Sequence, residues 1–156
     1  MDQLGFVIET RGGFELTIDL SLSFEKMVEL GNYDHVSPSV TEELFPLHGR
    51  YGDFIKVSLV DCSGLSRPDA LKHIDSLNLV PADMTELLEF GHLYPDMQKQ
   101  RAIVALGDQA NIAPFLFWTE QFGRLLGVVN CDKKTGGILF LQQSCSSKWW
   151  FLALAK

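Results

Sequence analysis

Apolar and polar positions alternate with a period of two at the start of the chain, change to a helical period, and return to strand-like runs beyond residue 100. "LGFVIE" and "FELTIDL" flank Arg11-Gly12-Gly13, and Phe14, Leu16, Ile18 and Leu20 alternate with Glu15, Thr17 and Asp19. This pattern predicts a hairpin over 4–20 with one wet face. Ser23 then offers an oxygen to the unpaired N–H groups of a helix, Phe24, Met27 and Val28 form its apolar stripe, and Gly31 is expected to supply a left-handed stop. Residues 32–52 carry Asn, Pro, Ser and Gly and predict a long surface loop with one helical turn at Thr41-Glu42-Glu43-Leu44. A loop of that length is a candidate contact region.

"DFIKVSLV" at 53–60 predicts a strand. Ser66 and Asp69 resemble a capping box with Pro68 in the first turn, and Ala70, Leu71, Ile74 and Leu77 share one face, which predicts a helix over about 67–77. Pro81 is expected to open a second helix with Met84, Leu87 and Leu88 inward, Asp83, Glu86 and Glu89 outward, and Gly91 as its stop. "RAIVALG", "APFLFWTE", "RLLGVVN", "GILFLQQ" and "WWFLALAK" then read as five strands with Gly-containing turns at 107, 123 and 136–137. The expected architecture is α+β: an N-terminal hairpin and short helices packed on a C-terminal five-stranded antiparallel meander or small barrel.

Within those strands Phe115 and Phe117 oppose Leu116 and Trp118, and Ile138 and Phe140 oppose Leu139 and Leu141. Strands apolar on both faces need cover on both. The preferred cover is the helices of the same chain; the alternative is a second copy or a partner, hence a possible homodimer. Trp149-Trp150 would put one indole on each face, and Trp150 is a candidate interface anchor because Trp is enriched at binding hot spots.

Charge divides the chain. Residues 1–100 hold 17 acids against 7 Lys/Arg, and residues 101–156 hold 3 acids against 6 Lys/Arg, within a net charge of -7. A single domain over 1–156 is expected, with an acidic front half and an aromatic-rich β half. The excess of acid repels nucleic acid. It also decides how "HIDSLNLVPADMTELLEF", 73–90, is read, because the outline of two helices at a tight corner resembles a DNA-reading helix-turn-helix. Three outward carboxylates would face phosphates, so a helical hairpin packed on the sheet is the better reading.

Cys62, Cys131 and Cys145 are odd in number and contain no C-x-x-C, which argues against a disulfide framework and a zinc knuckle. The start, Met1-Asp2-Gln3-Leu4, resembles no secretory signal, and no run is long enough to span a membrane. A cytoplasmic protein that binds neither membrane, metal nor cofactor is the expectation. "DCSG" places Cys62 after a strand, and His73 on the next helix is the candidate base for a thiolate nucleophile; a catalytic role is the lesser alternative.

"LTIDLSLSFEKMVELGN" followed by "LKHIDSLNLVPADMTELLEFGHLYP" resembles an uncharacterised family of small bacterial hypothetical proteins common in candidate-phylum genomes. The resemblance covers most of the chain from Phe6; the spacing of the aromatic strands departs from that family's pattern. It implies an acidic strand and helix, a Leu-Lys helix leading to a second helix, and aromatic-rich strands. It implies no known activity. The expected function is a non-enzymatic interaction or regulatory module that docks a protein partner, possibly a basic one, through the acidic face of Asp83, Glu86 and Glu89 or through the 32–52 loop. The alternative is a small enzyme or ligand-binding domain using Cys62 and His73. A third reading is an inhibitor whose carboxylates imitate phosphates.

Overall fold

The computed structural model describes residues 14–18, 21–47, 54–61, 67–108, 112–130 and 149–155. The expected strand at 4–9, Cys62 and the expected strand at 137–143 lie outside the described residues. The elements in chain order are β1 (Phe14–Thr17), α1 (Phe24–Leu30), β2 (His35–Val36), β3 (Phe54–Asp61), α2 (Arg67–Ser76), β4 (Leu79–Pro81) and α3 (Met84–Leu93). A 3-10 helix (Pro95–Lys99), β5 (Ala102–Val104), β6 (Ile112–Thr119), β7 (Gly123–Asn130) and β8 (Trp149–Ala155) follow. The fold is α+β, as expected, with a mixed sheet in the order β1-β3-β8-β5-β6-β7-β2, and β4 pairing β8 off that path.

The five-stranded antiparallel meander is not what forms. β5, β6 and β7 are antiparallel neighbours, but β8 does not continue them. It lies antiparallel to β3 on one side and parallel to β5 on the other. Its sequence explains the position. Trp150, Leu152 and Leu154 face one apolar cluster and Phe151 and Ala153 the other, so this strand loses most if either face is wetted. The sheet stays open, with β1 and β2 at its ends, rather than closing as a barrel.

Cover for both faces comes from the chain itself. Phe24 and Met27 of α1 and Met84, Leu87, Leu88 and Phe90 of α3 join Val57, Leu59, Ile103, Leu116 and Leu152 on one side. Ala70 and Ile74 of α2 join Val60, Val104, Phe115 and Phe151 on the other. Removing one such aliphatic or aromatic side chain from water contributes about 1.5–3 kcal/mol. The sheet face that suggested a homodimer is therefore occupied at its centre.

The two central helices are not a hairpin. Asn78 takes a left-handed φ of 64° and ends α2, with Leu77 N–H on the Ile74 carbonyl (3.1 Å) and Asn78 N–H on the Asp75 carbonyl (2.9 Å). Leu79–Pro81 then pair with Ala153–Ala155 of β8 before α3 begins. Three residues are too few to register as strand periodicity, and Pro81 belongs to that strand rather than to α3. A strand between the helices removes the helix-turn-helix outline altogether.

Two expected glycine stops work differently. Gly31 has an ordinary helical φ of -70°, and Asn32, at φ 53°, makes the left-handed turn. α3 runs past Gly91 to Leu93. Both glycines are required by Tyr33: a Cβ on Gly31 would collide with the Tyr33 ring, and one on Gly91 with its hydroxyl.

Candidate functional site

The three carboxylates expected on an outward helical face do not form one. Asp83 is 7% exposed and Glu86 2%. Asp83 is the N-cap of α3: its Oδ1 accepts the Thr85 N–H at 3.0 Å, while Glu86 Oε1 accepts the Asp83 N–H at 2.9 Å. Asp108 Oδ2 accepts the Met84 N–H at 2.7 Å. A helix start buried against a sheet leaves orphan N–H groups and the positive end of the dipole, and short acids satisfy both. Glu89 is half-buried, 3.8 Å from His92 Nδ1.

Trp150 is likewise no interface anchor, at 7% exposure. Arg101 lies 4.8 Å over its ring and is held by Asp61 at 3.1 Å. The Trp150 indole, buried on a central strand, is taken up by the core and by Arg101. His73 is half-buried on α2, and its backbone carbonyl accepts the Ser76 hydroxyl at 2.6 Å. Among the described residues no group of three His, Cys, Asp or Glu side chains is placed to hold a metal. No described helix is long and apolar enough to cross a membrane.

The arrangement that does gather functional chemistry is the β2 end of the sheet. Its foundation is Arg124, at the start of β7. The guanidinium donates through Nε to Gln98 Oε1 (3.0 Å), through Nη2 to the Gly91 carbonyl (2.8 Å), and through Nη1 to the carbonyls of Gly31 and Asn32. One cation thus meets the C-terminal ends of α1 and α3, where unpaired carbonyls and the negative end of each dipole favour it. Gln98 is itself buried and donates to the carbonyls of Phe117 and Leu125, at 2.7 and 3.2 Å.

Tyr33 lies beneath this group, with the guanidinium carbon 4.8 Å from its ring centre. The phenol oxygen is buried without a hydrogen-bond partner among the described residues, although the ring keeps some exposure. Burial raises the pKa of the phenol well above its ordinary value, and the neighbouring Arg124 charge opposes only part of that rise.

From Tyr33 the chain reaches β2. Asp34 N–H donates to the Arg124 carbonyl at 2.9 Å, and Asp34 Oδ2 accepts the Arg124 N–H at 2.8 Å. His35 and Val36 pair in parallel with Leu125 and Leu126, and Ser37 N–H donates to the Leu126 carbonyl at 2.9 Å. The connection continues through a helical turn, with the Thr41 carbonyl accepting the Phe45 N–H at 3.0 Å, to Phe45, fully buried in the core. The 32–52 region, as far as it is described, is therefore anchored at both Tyr33 and Phe45.

Apolar side chains remain on its outside. Val36 is 39% exposed, Leu44 36%, and Phe122, in the turn between β6 and β7, 49%. The rings of His35 and Phe122 meet edge to face at 5.6 Å, and the Phe122 N–H is fixed to Thr119 Oγ1 at 2.9 Å. Glu42 and Glu43 in the helical turn and Glu120 beside Phe122 are exposed. Sequence reasoning missed Tyr33, Gln98, Phe122 and Arg124. The signals present were the two glycines that admit Tyr33 and an arginine opening an otherwise apolar strand.

No family model, curated protein or solved structure matches this chain.

Proposed function

We propose that the chain is a protein-binding module whose docking surface is the β2 end of the sheet, with Val36 and Phe122 as apolar contacts and Glu42, Glu43 and Glu120 as an acidic fringe. The observation that carries this reading is Phe122, a large aromatic side chain about half exposed in a turn whose backbone is pinned by Thr119. An exposed, preorganised aromatic within a polar surround is the composition of a binding hot spot. The partner that fits carries an apolar contact bordered by Lys or Arg. The acidic face of α3 has no part in this proposal, because Asp83 and Glu86 are occupied by the helix start.

Immobilised wild-type chain is compared with Phe122→Ala and with the double charge reversal Glu42→Lys, Glu43→Lys in capture from native lysate. A protein retained by wild type, lost with Phe122→Ala and weakened by the reversal or by raised salt, supports the proposal. Capture that is indifferent to both changes would exclude this surface. A light-scattering mass of twice the monomer that falls to one with Phe122→Ala would instead make a second copy the occupant.

A further inference from the structure

β2 is only two residues long, lies at the end of the sheet, and has β7 as its one strand partner among the described residues. Among the described residues its fastenings all run to β7 and the turn before it: the pairing of His35 and Val36 with Leu125 and Leu126, the Asp34 and Ser37 amides on β7 carbonyls, the Asp34 carboxylate on the Arg124 amide, the His35 ring on Phe122, and the Tyr33 ring under the guanidinium. Arg124, by contrast, is fixed independently of β2 by Gly91 and Gln98. Its side chain therefore remains a seat for the ring whether or not the strand is in place.

The Tyr33 hydroxyl is the unusual part. Buried hydroxyl groups nearly always find a partner, and this one has none among the described residues while it packs against Gly91. A phenylalanine would fill the same space without that loss. When the ring leaves its seat the hydroxyl regains water, so the hydroxyl favours release while the ring and the guanidinium favour closure. The balance is local, because none of these contacts involves the β3–β8 centre of the sheet.

We propose that residues 33–37 form a strap that opens and closes as a unit, with Tyr33 beneath Arg124 as its latch. The open state detaches β2 from β7 while α1, α3 and the rest of the sheet stay folded. Because His35 and Val36 ride on the strap, the docking surface is complete only when the latch is closed; this last step rests on the function proposed above.

Amide hydrogen exchange on the full chain at neutral pH tests the strap without any partner. Asp34 and Ser37 are expected to exchange together, at least about 100-fold faster, after correction for intrinsic rates, than amides bonded between β3 and β8, as local openings do relative to global unfolding. Tyr33→Phe is expected to slow both strap amides about tenfold, the size of one unsatisfied hydroxyl, and Tyr33→Ala to speed them, with β3–β8 amides unchanged by the Phe variant. Equal protection of strap and sheet centre, or faster strap exchange in Tyr33→Phe, would overturn the latch. Should Tyr33→Ala fail to fold, the wild-type ratio and the Phe variant decide. A strap that behaves as expected while Phe122→Ala leaves capture intact would sink the docking surface and keep the latch; the reverse pair of results would do the opposite.

Discussion

Glu86 and Glu42 both lie in short helical stretches of the acidic half of the chain, in "DMTE" and "TEEL", yet one is inside the protein and the other outside. The difference lies in their distance from the cap. Asp83 caps α3 and Glu86 stands three residues on, the one place from which a side chain reaches back to the cap's own amide. In the second stretch Thr41 Oγ1 accepts the Leu44 N–H at 3.3 Å, so the corresponding third place holds a leucine and the glutamates point to water. Local density of acid therefore does not locate an acidic surface. Position relative to the helix start does.

The contrast between the α3 side and the β2 end can be broken experimentally, and core aromatics give the largest effect. Phe90, fully buried on α3, is expected to lose about 3–5 kcal/mol of stability on change to Ala, whereas Phe122→Ala is expected to stay within about 0.5 kcal/mol. Urea denaturation of both variants measures this, and similar losses would mean that Phe122 is a core residue and not a contact. Next in size, Glu86→Ala is expected to lose about 1–3 kcal/mol through the unpaired Asp83 amide, while Glu42→Ala leaves the midpoint where it was. Equal shifts would erase the distinction between the two stretches.

The smallest effect sharpens the picture of the β2 end itself. Burial raises the Tyr33 phenol in the folded state, so the folded chain holds that proton more tightly than the unfolded one. Its contribution is complete below the unfolded value of about 10 and is lost as pH rises above it. Stability followed by denaturant midpoints between pH 8 and 11 is expected to fall more steeply in wild type than in Tyr33→Phe. Parallel curves would mean that the phenol is hydrated in the folded protein.

Much of the local structure was legible in the sequence. Ser23 does cap α1, its Oγ accepting the Lys26 N–H at 3.1 Å, and the apolar faces of α1, α2 and α3 are those their periodicity indicated. Strands β3, β6 and β7 fall where alternation or aromatic runs placed them. Topology was not legible, because β8 pairs with β3 across most of the chain and nothing in "WWFLALAK" records that distance. What the run does record is a strand buried on both faces, which is a mark of the middle of a sheet. The candidate site was hidden for a related reason. Arg124 opens an apolar strand as a surface charge would, and only the folded arrangement brings Gly31 and Gly91, 60 residues apart, to the same tyrosine.

The placement of β8 sets the order in which this protein can be built. Strands β3 and β5 both border it, and each must wait with an unsatisfied edge until residues 149–155 have left the ribosome. At about 5–20 residues per second, the interval between completing β3 and delivering its neighbour is on the order of 5–20 seconds. For the later half of that time, once β5 is made, the nascent chain carries two sticky ribbons of backbone. Its survival then depends on how quickly the helices screen them.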